Sequence, residues 1–137
     1  MSARREPAIA ALHSIKATRT AFHDIRDRVI EHCKFGMVPA TARRPFDNVN
    51  VALAKVANLL WSMRQTEKRG PLDAEGQQTM LRAWQFVVDE LDELGTAPRF
   101  QMTFTAQEAP MLWPKVNSFN DRVANLRELA AREAATA

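Results

Sequence analysis

The chain has one cysteine, no tyrosine, four glycines and no apolar run longer than a few residues. Cys33, being alone, excludes an intrachain disulfide and points to a reducing, cytoplasmic compartment. Apolar stretches such as Val51-Ala52-Leu53-Ala54 fall far short of the roughly 20 residues of a bilayer span, so no membrane partner is expected. The opening MSARREPAIAALHSIK is interrupted by His13, Ser14 and Lys16; without the continuous apolar core of a secretion signal it reads as a mature N-terminus. Scarce glycine leaves no phosphate-cradling loop, and neither G-x-S-x-G nor His-Glu-x-x-His occurs, so no catalytic residue, cofactor or small-molecule substrate is expected. The soft metal ligands are His13, His23, His32 and Cys33. The histidines lie ten and nine residues apart, whereas ligands on one helix face need separations of three or four, so no metal site is expected. Absent tyrosine beside fourteen arginines suggests a GC-rich bacterial or phage coding sequence.

What the sequence does have is helical period. Its 137 residues, 46% apolar and 26% charged, suit a single folded domain over 1–137. A first helix is expected over about 7–35, with Ala8, Ala11, Leu12, Ile15, Phe22, Ile25, Val29 and Cys33 on one face, Pro7 in its first turn, and Gly36 and Pro39 closing it. A second, about 46–68, carries the row Phe46, Val49, Leu53, Val56, Leu60 and Met63. Leu59 and Trp61 widen that row, Asp47 or Asn48 caps it, and Gly70-Pro71 ends it. The third, about 73–94, starts on an Asp73 cap and carries Met80, Trp84, Val87, Leu91 and Leu94 before Gly95. The fourth, about 114–132, carries Val116, Phe119, Val123, Leu126 and Ala130. Four amphipathic helices predict an all-α, antiparallel four-helix bundle. Between the last two, residues 96–114 hold three prolines and the period-two alternation Phe100, Met102, Phe104, which predicts a long, ordered, extended loop over 96–113. The capping-box pattern of Thr105 and Glu108 is followed by Pro110, which limits any helix there to one turn.

Charge is distributed unevenly. Residues 1–70 hold 13 Lys+Arg against 6 Asp+Glu, a net +7, while 71–137 hold 6 against 10, a net −4. On the first helix Lys16, Arg19, His23, Arg26 and Lys34 share a sector of roughly 80°, a stripe about 27 Å long. Arg43 and Arg44 follow in the next connection and extend it. Such a stripe can track a nucleic-acid backbone through its phosphates without reading bases. The alternative is a set of edge cations neutralised by the acidic half of the same chain. That half places Asp89, Glu90, Asp92 and Glu93 at the negative end of the third helix, where the macrodipole disfavours them. Phe86 lies off the apolar row beside them. A large aromatic within a charged face suits a protein contact formed by Phe86, Asp89, Glu90 and Glu93.

One short stretch, RDRVIEH, resembles in the spacing of Arg26 and His32 the motif of the helical HEPN ribonuclease family. That resemblance would imply ribonuclease activity; on a regular helix, however, the two side chains diverge by about 120°. The expectation carried forward is a non-enzymatic binding protein, a small accessory subunit of a larger assembly, with its basic half on nucleic-acid phosphates. The competing reading is a protein-only adaptor or inhibitor of phage or plasmid origin. The expected architecture is similar to that of the helical small subunits of RNA-guided bacterial effector complexes, with no motif in common.

Overall fold

A computed structural model describes the backbone of residues 6–32, 40–95 and 109–136, and within them the side chains of 6–27, 47–94 and 114–136. The described residues form four α-helices and no strand: α1 (Pro7–His32), α2 (Ala40–Lys68), α3 (Ala74–Gly95) and α4 (Ala109–Ala135). Each packs on its neighbour in sequence, and α4 returns to α1 to close the ring; α3 packs most extensively on α4, and the α2–α3 seam is the smallest of the four. The start of α1 lies against the end of α2, where Glu67 Oε2 accepts the Ala8 N–H at 2.9 Å. Moving back along α1 from Asp24 to Phe22 moves forward along α4 from Lys115 to Phe119, whose ring is centred 6.0 Å from that of Phe22. With the short turn at 69–73 reversing the chain between α2 and α3, the helices alternate up and down. This is the antiparallel four-helix bundle that the periodicity predicts.

The core is built from the expected rows. Ala8, Ala11, Ile15, Phe22 and Ile25 of α1 meet Val49, Leu53, Val56, Leu60 and Met63 of α2, Trp84, Val87, Val88 and Leu91 of α3, and Val116, Phe119, Val123, Leu126 and Ala130 of α4. Leu12, Leu59, Met80 and Leu94 pack partly buried at its margin. Each fully buried leucine among them contributes roughly 1.5–3 kcal/mol by leaving water. The side chain of Val29, with Phe46 and Cys33, lies outside the described residues.

Turn chemistry follows the sequence at the α2–α3 junction. Gly70, at φ 110°, takes a backbone conformation costly to any side chain, and its N–H reaches back to Glu67 O at 3.3 Å. Asp73 caps α3, its Oδ1 accepting from Gly76 N at 2.7 Å while its carbonyl accepts from Gln77 N at 2.9 Å.

Two helix starts differ from expectation. α2 begins at Ala40, so Asp47 and Asn48 are interior residues rather than caps, Arg43 and Arg44 lie on the helix rather than in a connection, and Pro45 is its sixth residue. α4 begins at Ala109, so Pro110 falls in the first turn and residues 109–113 are helical rather than extended. The physical reason is that the first four N–H groups of a helix have no intrahelical acceptor, so Pro110 forfeits no bond there. Pro114 lies deeper and removes one bond, a local loss that the remaining five turns of α4 absorb. The alternation of Phe100, Met102 and Phe104 and the Thr105–Glu108 box lie outside the described residues.

Candidate nucleic-acid interface

Lys16 of the predicted stripe is exposed, and Arg19, His23 and Arg26 are half-buried along one flank of α1. Lys16, Arg19 and His23 line a shallow groove between α1 and α2, together with Leu12, His13, Ile15, Thr20, Ala57, Asn58 and Trp61. Arg26 continues the flank beyond the groove. Lys34 and the side chains of Arg43 and Arg44 lie outside the described residues; the backbone of Arg43 and Arg44 belongs to the start of α2, which the antiparallel pairing sets beside the end of α1.

Why the groove is open follows from residue size. Above the buried rows of α1 and α2, the α2 side of the gap carries the short Ala57 and Asn58, which leave it open, with Trp61 at its border. Its electrostatics follow from composition. Neither α1 from Pro7 to His23 nor α2 from Asn48 to Thr66 carries a single carboxylate, so nothing on either facing stretch offsets the cations. Among the described residues no carboxylate pairs with Lys16, Arg19 or Arg26; the ion pairs are Arg64 with Glu6 and Glu67, Lys115 with Asp24, and Arg127 with Asp92. The acidic half of the molecule therefore does not neutralise this flank within the described structure.

Trp61 departs from expectation. It is 60% exposed rather than part of a widened core row, while its row neighbours Leu60 and Met63 are buried. It borders both the groove and a second depression lined by Ser62, Gln65, Thr66, Lys68 and Arg69. From sequence, His13 was weighed only as a metal ligand and Trp61 only as a core residue, and Lys68 and Arg69 were passed over. The long carboxylate-free stretches of both helices were the signal that could have found this neighbourhood.

The acidic end of α3 is as drawn from the sequence. Phe86 is 43% exposed, and Asp89, Glu90 and Glu93 follow it at spacings that share its face. Asp89 accepts from Gln85 Nε2 at 2.9 Å. Asp92 is engaged within the molecule, taking Arg127 Nε at 2.8 Å and Nη2 at 3.3 Å, which ties α3 to α4. Hydrogen bonding to Asp92, reinforced by its charge, raises the Arg127 pKa above its ordinary value.

Among the described residues no three His, Cys, Asp or Glu side chains gather as a metal ion would need, and no described helix is long and apolar enough to cross a membrane. His32 ends α1 and its side chain lies outside the described residues, so the Arg26–His32 pair has no described geometry. Compared with protein-family models, curated proteins and solved structures, the chain finds no match.

Proposed function

We propose that the protein binds nucleic acid through the phosphate backbone, using the α1–α2 face, and that it does so as a small accessory subunit whose α3 face meets protein. The observation that carries the first half is the groove itself. Lys16, Arg19 and His23 converge on it from α1, no described carboxylate pairs with Lys16 or Arg19, and both helices lack acidic residues along the facing stretches. A paired cation serves stability; solvent-reaching cations without a carboxylate partner, gathered on a carboxylate-free face, suit a polyanion. Contacts of this kind position a strand without reading its sequence. The second half rests on Phe86, a large apolar side chain left 43% exposed within the acidic stripe of α3.

Fluorescence anisotropy with labelled DNA and RNA oligonucleotides of mixed sequence, at low salt, tests the reading. Binding should vary little with base composition and should weaken when Lys16 and Arg19 are both replaced by glutamine. An equal loss of charge on the exposed side of α4, Arg122→Gln with Arg132→Gln, should leave it nearly unchanged. If the two double variants weaken binding equally, only net charge matters and the α1–α2 face has no special role. If the parent protein binds neither nucleic acid, the protein-only adaptor reading replaces this one.

A further inference from the structure

We infer that Trp61 is a stacking platform for an unpaired base, so that the α1–α2 face takes single-stranded nucleic acid in preference to duplex. The inference rests on the phosphate-binding reading above and narrows its ligand. Tryptophan is among the most costly residues to leave in water, and α2 gains nothing for its core from this one. The core row is already filled by Leu53, Val56, Leu60 and Met63, and the indole stands 60% exposed beside it. Its position is specific as well as exposed. Lys16 and Arg19 share a groove with it, and Lys68 and Arg69 share a second depression with it, so two pairs of cations lie in the depressions that the ring borders.

No described carboxylate pairs with any of those four cations. Asn58, one turn before Trp61, adds an amide able to donate to and accept from a base edge. An aromatic face bordered by phosphate-binding cations is the arrangement that holds single strands, because each unstacked base offers a π-face while its phosphates run along the cations. A duplex keeps its bases stacked inside and would leave the indole facing sugar and phosphate. Charge complementarity selects the occupant: an apolar protein partner would want Trp61 but not the neighbouring cations, and a duplex would want the cations but not Trp61.

The test compares a short oligothymidylate with a duplex of equal length, using the full-length protein at low salt. In a Trp113→Phe background the remaining tryptophans are Trp61 and the buried Trp84, so quenching of indole emission by the oligothymidylate should come mainly from Trp61 and should be largely lost when Trp61→Ala is added. That variant should bind the single strand about tenfold more weakly, while its duplex affinity should change by less than about twofold. Trp61→Phe keeps an aromatic face and should recover most of the single-strand affinity, which also guards against a folding defect in the alanine variant. If Trp61→Ala binds single strands as the parent does, or if the parent prefers duplex, the stacking inference is overturned while the phosphate-binding reading stands. If the parent binds neither form, the phosphate-binding reading itself fails and this inference falls with it.

Discussion

Glu67 lies seven residues beyond Leu60, where the apolar row of α2 would place another core side chain, and it is nearly as buried as its predecessors. Its carboxylate accepts the Ala8 N–H at 2.9 Å, supplying an acceptor to the first turn of α1 that α1's own sequence does not provide. Arg64 stands between it and Glu6, at 3.7 Å and 2.9 Å respectively. Replacing Glu67 with alanine should therefore destabilise the fold by about 1–2 kcal/mol in urea denaturation, as loss of a helix cap and a buried acceptor does. Glu67→Gln keeps an acceptor oxygen and should lose less; equal losses would mean that charge, not the hydrogen bond, is what matters. In the middle of the rows, Leu53→Ala and Leu91→Ala should each cost about 2–5 kcal/mol. Unchanged melting of both would mean the helix phases are misassigned. Heptad arithmetic made these rows legible but was blind to polar side chains within them. Thr18, between Ile15 and Phe22, is fully buried because its hydroxyl donates to Ser14 O at 2.8 Å within its own helix. Glu133, seven residues after Leu126, continues the α4 row in the same way as Glu67 continues that of α2.

Among the elements, the ends were harder to read than the faces. Asp73 and Gly70 carry strong local signals, a side-chain acceptor and a freely positive φ, and both act as the sequence implies. Alanine at Gly70 meets no neighbour, so its penalty is purely conformational: thermal or chemical denaturation of Gly70→Ala should show a loss of about 1 kcal/mol or more, and an unchanged or raised stability would contradict the strained turn. The start of α2 was misread because Asp47 or Asn48 reads as its cap, and that of α4 because Pro110 was treated as a barrier although Pro7 was placed in a first turn. Proline's effect depends on position, and Pro110 sits where no backbone donor is needed. Phe86 belongs to this scale too, since its exposure follows from the phase of α3 rather than from any local motif. Phe86→Ala should leave the melting temperature nearly unchanged and weaken capture of whatever protein copurifies with the chain. A large drop in stability with capture intact would instead make Phe86 a core residue.

Over the whole molecule, the opposite charges of the two halves were visible in the sequence, but whether they cancel was not, because pairing depends on which helix faces lie side by side. The bundle answers this for the described residues. The acidic end of α3 is tied by Asp92 to α4, and the cations of α1 look out over a face that α2 leaves free of carboxylates. Net positive charge alone would give weak, diffuse attraction to any polyanion. A defined face makes a sharper claim, that a countable set of phosphates is neutralised by particular side chains. The direct measurement is the slope of log binding constant against log salt concentration for a single-stranded oligonucleotide, taken for the parent and for Lys16→Gln with Arg19→Gln. Neutralising about four phosphates gives a slope near −3 for the parent, at about −0.7 per phosphate, and the double variant should be flatter by one to two units with an unchanged helical spectrum. A parent slope near zero, or the same slope in parent and double variant, would contradict the account.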